Sequence, residues 1–583
     1  MLTGKPPFAA ATKPEALELA RKGTLSAQLP DPDHPISKLC LKCISNNPAN
    51  RFASAREVVD ATRETIRVPG TRVPGRLLPA VAAGALLLGA IVYFAVSWSA
   101  TDRRPDDANR PVTAGQLEQA EQPAAVGKTW WVDGSLRLVE RDSTGVGTRD
   151  DAFVTIAAAL KAAGPNDTIR IRGHADGQRL RYREALATDP DRHVGITITN
   201  WEDTEPDQVD HFPVIVGLYP LGPDLSEERE VAASANPLCP PLLWITADNV
   251  VIRGIVFHGS CGDGLAIQKL DRRNDPVMGV RVEQCEFFQT YGPGIRISGA
   301  VETTVESIKL NRCGATLESV AVEVEKSSGT RVIACRVAKL GPREHLGGGI
   351  RIANSNDSGV SACEFRELDL NDAIVVTSSN QSRLLTNFIY SCRTGVKLFN
   401  GNHGFHVLGN VIASCEEAGI LIDSKGQLIS NLDIDYNTIH ACGKYGLQFS
   451  NGKAKDVCVT SNLILDNTEG DLFLAADLAD ASITHNLVSE SESRGVGLRH
   501  SGEKNIFLDS LPDAGPQLWI QRRLESGDRP LAGAIRSYRL LRDSIARDTG
   551  RTWPELPNSL DILGTRRGET PDLGAIELVS PEE

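Results

Sequence analysis

Three scarcities set the first limits on this chain of 583 residues. Aromatic residues make up only 5% of it although hydrophobic residues reach 41%, so a core must consist mainly of Val, Ile, Leu and Ala. Gly (52) and Pro (32) are too few for a collagen or for a Pro/Gly-rich disordered chain. Basic residues are outnumbered, and the net charge of −13 argues against a nucleic-acid partner, because phosphate contacts need a basic surface.

The charge is unevenly distributed along the chain. Residues 1–76 carry 12 Lys+Arg and 7 Asp+Glu, whereas residues 77–583 carry 50 and 68. The chain is also too long for one ordinary compact domain. A repeat architecture is the exception, because it grows in one direction without dividing into domains.

The sign of the charge changes at residues 77–100, LLPAVAAGALLLGAIVYFAVSWSA, which contain no charged residue. A helix of this length, at ~1.5 Å per residue, crosses a hydrocarbon core of ~30 Å. Arg67, Arg72 and Arg76 precede it, whereas the following flank has mixed charge, so the N-terminus is expected inside. The sequence therefore predicts a single-pass anchor in the cytoplasmic membrane, with residues 101–583 outside the cytoplasm.

Residues 1–66 contain MLTGKPPF and CLKCISNNPANRFASAREVVDATRETI. These stretches resemble the C-terminal lobe of bacterial eukaryotic-type Ser/Thr protein kinases, with Arg51 at the family's Arg position and Asn46 where Lys is usual. The resemblance implies a small α-helical, cytoplasmic kinase fragment. Phosphoryl transfer needs a Gly-rich loop, a strand Lys and catalytic Asp residues that would precede this stretch. We therefore expect a non-catalytic remnant, or a receptor kinase whose gene start is misplaced.

A repeat follows the polar linker 101–127 and runs through residues 128–510. A unit of roughly two dozen residues recurs, a period typical of solenoids, as in LTNFIYSCRTGVKLF, LGNVIASCEEAGILI and DYNTIHACGKYGLQF. Each unit contains short runs with period-2 alternation, separated by Gly, Asn and Ser. This pattern predicts short strands rather than pairs of helices.

One position of the unit predicts a structural ladder. Alignment of the units begins this column at Gly254 and continues it through Cys285, Cys335, Cys363, Asn387, Asn410, Asn437, Asn462 and Asn486. A buried amide can donate and accept hydrogen bonds between coils spaced ~4.8 Å apart. The pattern resembles the right-handed parallel β-helix of the pectate-lyase-like superfamily. PDLGAIEL is similar to that family's closing motif, so residues 511–583 are expected to form a C-terminal cap and closing segment.

Three cysteines form a second column, five residues after their ladder asparagines: Cys392, Cys415 and Cys442. Neighbouring coils bring Cα atoms to ~4.8 Å, within the range of a disulfide. Regular placement along the stack favours buried thiols that pack as small hydrophobic groups. Cys40 and Cys43 have no second pair nearby, so they do not predict a zinc site.

The resemblance implies carbohydrate along one sheet face, and the G-I-x-I strand is the candidate because its x residues point outward. The catalytic candidates on this face are Glu323, Glu325, Arg351 and Asp423, and the substrate-binding candidates are Arg296, Lys397 and Gln448. A lyase would use an Arg or Lys base, often with Ca²⁺. A hydrolase would need two carboxylates ~5–9 Å apart. The same charges could simply keep a solenoid soluble.

The sequence thus predicts a membrane-anchored surface β-helix protein that binds or processes polysaccharide, with a cell-envelope glycan as its partner. One alternative is a fragment of a transmembrane receptor kinase whose β-helix is the sensor. Another is a polysaccharide lyase or glycoside hydrolase. We expect no metal site and no cofactor, except Ca²⁺ in the case of a lyase, and no nucleic-acid partner.

Overall fold

The structure, a computed structural model, is a stack of short parallel strands. It describes residues 127–138, 145–201, 211–217, 239–269, 275–314, 320–338, 348–368, 371–475, 477–489, 494–495, 505–508, 546–551, 561–563, 565, 567 and 570–577. All of these residues belong to one compact unit, Gln122–Glu583. The predicted kinase-like segment 1–66, the predicted membrane helix 77–100 and almost all of the linker 101–127 lie outside them. Within the described ranges, no helix is long and apolar enough to cross a bilayer.

Successive strands fall on three faces, here called sheets 1, 2 and 3, and the strands within each face pair in parallel. Sheet 1 contains Leu186–Ala187, Leu243–Ile245, Leu265–Gln268, Ile295–Ser298, Val322–Glu325, Gly348–Ala353, Asp372–Thr377, Val396–Phe399, Gly470–Leu474 and Arg494–Gly495. Sheet 2 contains Thr129–Val132, Thr168–Ile171, Thr197–Asn200, Val251–Arg253, Arg281–Glu283, Thr304–Glu306, Arg331–Ile333, Gly359–Ser361, Arg383–Leu385, His403–Leu408 and Ser482–Thr484. Two 16-residue strands, Ile420–Asp435 and Tyr445–Thr460, run through both sheets and join them.

Sheet 3 is separate from the other two. Its 13 strands are Arg181–Arg183, Val214–Val216, Val256–Ser260, Glu286–Thr290, Lys309–Cys313, Arg336–Ala338, Glu364–Arg366, Phe388–Tyr390, Val411–Ala413, Thr438–His440, Leu463–Leu465, Leu487–Ser489 and Ile506–Leu508. The remaining elements are the strands Asp477–Ala479, Val277–Met278, Ala300–Val301, His174–Ala175 and Gln178–Arg179, and the 3-10 helix Gly134–Leu138.

The alternation within each strand builds the core. In Ile295–Ser298 the two isoleucines are fully buried, whereas Arg296 and Ser298 are only partly buried because they point outward. The next strand of sheet 1 repeats this pattern in register, so that Ile297 lies beside Val324. Stacked aliphatic side chains therefore fill the interior from coil to coil. This arrangement confirms the predicted parallel β-solenoid.

A short helix, α1 (Ile156–Ala162), packs against the first two strands of sheet 2. Thr155 caps it by accepting from the Ala158 amide, and the Glu184 carboxylate accepts from the first two helical amides. Its buried residues are Ile156, Ala159 and Leu160. Ala157 is exposed and does not take part in this packing.

The five ladder asparagines lie one above the other inside the corner between sheets 2 and 3. In each neighbouring pair, the backbone N–H and the Nδ2 of the asparagine in the earlier coil both donate to the Oδ1 of the asparagine in the next coil. These distances are 2.9–3.0 Å from Asn387 to Asn486. Asn505, which the sequence alignment missed, continues the column at 2.9 and 3.1 Å. Each amide thus exchanges hydrogen bonds with both neighbouring coils, which fixes the register of the stack.

The N-terminal part of this column is apolar rather than amide-based. Cys335 and Cys363 are adjacent in it, and the Cys335 amide lies 3.4 Å from the Cys363 sulfur. Pairing of Val256 with Glu286 places Ile255 beside Cys285, so the assignment of Gly254 to the column is wrong by one residue. Gly254 instead occupies the preceding turn position, where its φ of +63° suits glycine.

A second ladder, absent from the sequence prediction, lies at the corner between sheets 1 and 2. Each member accepts from the backbone N–H of the residue one coil earlier at 3.0–3.2 Å, and the members are Ser327, Ser355, Ser379 and Asn402. The three serine hydroxyls also donate back to the carbonyl two residues before them at 2.8–2.9 Å. Short side chains thereby satisfy buried amides where the chain turns between sheets.

The described part of the closing segment covers the side of the solenoid. Its apolar residues form two clusters on the outer face of sheet 3, which contain Phe388, Val411, Ala413, Ala575 and Ile576, and Leu463, Leu465, Leu487, Ala546 and Leu573. The Arg567 guanidinium lies 4.3 Å from the ring of Tyr436, and burial lowers the pKa of Arg567. This covering explains why sheet 3 is apolar on its outer face in these coils.

One disulfide is present among the described residues, between Cys239 and Cys261, whose Cα atoms are 5.8 Å apart. The sequence prediction did not include it. The eight other described cysteines are thiols, and seven of these are buried. In the second column the sulfurs of Cys392 and Cys415 are 3.4 Å apart.

Candidate functional site

The outer face of sheet 1 presents two parallel columns of side chains. The first column runs through Trp244, Ala266, Arg296, Glu323, Arg351, Val375, Lys397, Leu421, Gln448 and Phe473. Five of the predicted site residues therefore share one column along the solenoid axis, in which successive coils are ~4.8 Å apart. The polar members in the middle of this column are the centre of the candidate site.

Asp423 and Glu325 lie in the second column, two residues further along their strands. This column runs through Gln268, Ser298, Glu325, Ala353, Thr377, Phe399 and Asp423. The predicted site residues of this face therefore lie in two columns rather than in a single stripe. Both columns point outward with the same period, so the alternation alone could not separate them. Asp423 is four coils, or ~19 Å, from Glu325.

Ion pairs link side chains from four consecutive coils of the site. The Arg296 guanidinium donates to Asp263 at 2.7 and 3.1 Å and also to Glu323. Arg351, one coil beyond, donates to the other oxygen of Glu323. Glu323 is only 5% exposed and is held between two guanidinium groups. The chain Asp263–Arg296–Glu323–Arg351 fixes these side chains in place, while both arginines remain about one third exposed.

A second ion-pair cluster lies further along the same face. Arg393 donates to both oxygens of Asp372 at 2.8 and 2.5 Å, and the Lys397 ammonium is 3.4 Å from the same carboxylate. Sequence reasoning missed Asp263 and Arg393 as partners in the site. Asp263 and Asp372 stand two residues before Leu265 and Ile374, which occupy the same position of their strands, and this shared position could have identified Asp263.

Burial and ion pairing shift the pKa values of these groups in opposite directions. Burial raises the pKa of Asp263 and the nearby Glu323 charge adds to this, although Arg296 opposes both. For Arg296, burial lowers the pKa, but the hydrogen bonds and charges of Asp263 and Glu323 outweigh it and the net shift is upward. The hydrogen bond to Asp372 likewise raises the pKa of Arg393. The guanidinium groups of Arg296 and Arg393 therefore stay charged.

The predicted residues of the second column, Glu325 and Asp423, each pair with a lysine close to them in sequence. Glu325 pairs with the neighbouring Lys326 at 3.1 Å. Asp423 accepts from the Lys425 amide at 3.1 Å and pairs with its ammonium at 3.4 Å. The ammonium groups of Lys425 and Lys397 lie 5.4 and 5.7 Å from the ring of Phe399.

The last predicted residue, Gln448, pairs in register with Phe473, whose ring stacks on that of Tyr445 at 4.7 Å. Among the described residues, no group of three or more His, Cys, Asp and Glu side chains is arranged to hold a metal ion. What the face offers is a row of fixed guanidinium and ammonium donors beside aromatic rings. Such a row suits the hydroxyl and carboxylate oxygens of an extended ligand.

Comparison with known proteins identifies the class of the fold. The family model described as "Right handed beta helix region" matches residues 242–382 and 343–510, so the parallel solenoid is a right-handed β-helix. No curated protein matches the chain.

Several solved structures resemble this chain at low identity. A complex of XylC with xylose is 11% identical, covers 77% of this chain and 98% of its own, and has a TM-score of 0.49. The pectate lyase Pel9A is 13% identical, with 78% and 97% covered and a TM-score of 0.39. An α-1,3-glucanase from Streptomyces thermodiastaticus is 13% identical, with 63% and 69% covered and a TM-score of 0.34.

Proposed function

We propose that the outer face of sheet 1 binds a polysaccharide that runs along the solenoid axis. The observation that carries this proposal is the buried Glu323 carboxylate, which holds Arg296 and Arg351 on either side of it in three consecutive coils. Rigid donors lose little conformational entropy when they bind, and the coil spacing repeats them along a line. A linear polymer with repeating oxygen acceptors fits this arrangement better than a compact ligand does.

Arg351 is the residue through which binding is best tested. Its Nε atom is buried without a hydrogen-bond partner, although another nitrogen of the same guanidinium donates to Glu323. Because Glu323 holds the guanidinium in place, a ligand oxygen that accepts from its exposed part gains a charge-assisted hydrogen bond at little cost in conformational entropy. Arg351 is also about one third exposed, which leaves it accessible from solvent.

We expect Arg351→Ala to weaken polysaccharide binding by about 10- to 100-fold, since a hydrogen bond to a charged group contributes ~1.5–3 kcal/mol. Binding of the full chain in detergent to a panel of cell-envelope and plant polysaccharides would be measured by isothermal calorimetry. Arg331→Ala is the matched control, because Arg331 is also a partly exposed arginine paired with an acid, but it lies on sheet 2. Equal losses in both variants, or absence of binding by the wild type, would contradict the proposal.

A glycoside hydrolase is the second candidate, and Asp263 is the observation that favours it. Its raised pKa suits a proton donor, and the Glu323 carboxylate accepts from the same Arg296 guanidinium, so the two carboxylates flank one group. Two carboxylates on either side of the scissile bond are the arrangement that a glycoside hydrolase requires. Arg296 binds both carboxylates, so a bound sugar would have to lie above this guanidinium. Shortened chains released in the binding mixtures by the wild type would favour hydrolysis over binding. A lyase that uses Ca²⁺ would instead lose activity in a chelator.

The proposal includes a location outside the cytoplasm, with residues 77–100 as the membrane anchor and residues 1–66 as a non-catalytic kinase remnant. The disulfide between Cys239 and Cys261 supports the location, because structural disulfides persist in oxidising compartments. We expect a reporter enzyme that needs disulfides to be active when it is fused after residue 583 and inactive when it is fused after residue 66. Equal activity of the two fusions would contradict the predicted topology.

A further inference from the structure

Three cysteine thiols stack inside the solenoid, each two residues after a strand of sheet 3. Cys392, Cys415 and Cys442 come from consecutive coils, and each is at most 2% exposed. The sulfurs of Cys392 and Cys415 are 3.4 Å apart, and the Cys415 thiol also makes a hydrogen bond with the thiol of Cys442. Parallel pairing of Phe388–Tyr390 with Val411–Ala413 holds the two coils in register at ~4.8 Å, within the Cα range of disulfides.

We propose that Cys392 and Cys415 form a coil-to-coil disulfide site, linked when the chain folds in the presence of a disulfide exchange partner, while Cys442 keeps its thiol. The fold already accommodates such a bond, because the disulfide between Cys239 and Cys261 also joins segments that lead into neighbouring strands of sheet 1. The Cys442 amide is anchored separately, since it donates to Asn467 at 2.9 Å.

The bond forms by thiol–disulfide exchange. The thiolate of Cys415 attacks one sulfur of the external disulfide and releases the first thiol of that partner, and Cys392 then displaces the second thiol. Two cysteine thiols become one disulfide while the partner's disulfide becomes two thiols, so that no further oxidant is needed. The hydrogen bond to Cys392, together with burial, raises the pKa of Cys415 well above its ordinary value. The thiols are therefore unreactive in the closed stack, and linkage occurs before the coils close.

The link would fix the turn that carries part of the candidate site. Cys392 directly precedes Arg393, whose guanidinium holds both oxygens of Asp372. Gly395, three residues later, has no room for a side chain, because a Cβ there would lie 2.5 Å from both the Gly419 carbonyl oxygen and Ile412. The link would thus anchor the residue directly before the arginine that holds Asp372.

The test maps cysteine pairing in the full chain. The protein is reduced and unfolded in urea, refolded with oxidised glutathione, and then unfolded again in an alkylating agent without reductant before digestion and mass spectrometry. A peptide pair linked through Cys392 and Cys415 is expected in more than half of the molecules, with Cys442 alkylated. The Cys239–Cys261 link serves as the internal control that oxidation and folding occurred. Its presence together with alkylated Cys392 and Cys415 would overturn the proposal.

Two variants separate the possible pairings. Cys442→Ser is expected to retain the link, whereas Cys415→Ser is expected to leave Cys392 and Cys442 both alkylated. A link between Cys415 and Cys442 in the wild type would also overturn the assignment. The same mapping on protein isolated directly from the cell envelope tests the proposed location outside the cytoplasm. If the Cys239–Cys261 link is absent from that protein but present after refolding, the location is contradicted and the proposed Cys392–Cys415 link is not.

Discussion

Asn437→Ala is expected to destabilise the β-helix by about 4 kcal/mol or more, because each buried polar group left without a partner costs ~1–3 kcal/mol. The Asn437 side chain is fully buried and makes four hydrogen bonds. Its oxygen accepts from two nitrogens of Asn410 at 3.0 and 2.9 Å, and its nitrogen donates to Val407 at 2.8 Å and Asn462 at 3.0 Å. Truncation therefore leaves groups on both neighbouring coils without partners.

The effect should spread along the stack, because each coil of a solenoid is stabilised only by its neighbours. Urea unfolding of the full chain in detergent would measure the loss, and hydrogen exchange would show whether the coils after Asn437 open first. Asn380→Ala is the matched control: this asparagine donates to Asn356 at 3.1 Å in an exposed position, and its replacement should cost less than about 0.5 kcal/mol. Similar losses for the two variants would show that the buried ladder does not stabilise the stack.

Asp435→Asn is expected to stabilise the protein at neutral pH and to leave its stability nearly unchanged in acid. Asp435 is fully buried, and burial together with the charge of Asp433 raises its pKa from 3.8 to about 7, although two hydrogen bonds from Thr460 oppose this. Arg551, on the closing segment, also lowers the pKa but does not cancel the burial. The second carboxylate oxygen has no hydrogen-bond partner.

The direction of this pH dependence follows from the number of protons that the folded and unfolded chains bind. Between pH 4 and 7 the folded chain keeps a proton on Asp435 that the unfolded chain has released, so stability falls as pH rises through this window. At ~1.4 kcal/mol per pKa unit, the accumulated cost approaches ~4 kcal/mol above pH 7. Asparagine never ionises, and its oxygen still accepts from Thr460. The advantage of the variant should therefore grow from pH 4 to 7 and then level off.

Urea unfolding at a series of pH values would test this prediction. Asp456→Asn is the control, because Asp456 lies on the same long strand as Thr460 but is nearly half exposed. It should change the free energy of unfolding by less than about 0.5 kcal/mol at any pH. An advantage of Asp435→Asn that is constant with pH would show that the buried carboxyl is not the titrating group.

Prediction from sequence succeeded where the evidence was local and repeated. Alternating aliphatic residues and regularly spaced asparagines define a coil without reference to distant residues, which is why the parallel β-helix could be predicted. Prediction was less reliable in assigning a residue to its column, where errors of one or two positions occurred. Gly254 was placed one position from its true column, and nothing in the sequence separated Asp423 from the column of Glu323, from which it is offset by two residues. A two-residue offset is invisible in a period-2 pattern, whereas the one-residue offset lies at a bend where the alternation is interrupted.

The sequence by itself determined the interior of this protein: which side chains stack inward, and that an amide column fixes their register. Only the tertiary structure decided which charges meet on the surface. Arg296 pairs with Asp263, 33 residues earlier, and with Glu323, 27 residues later, whereas Arg393 pairs with Asp372 at a separation of 21. The reason is physical: inward residues repeat with the coil, whereas outward contacts depend on the unequal loops that set how far apart in sequence two touching coils lie.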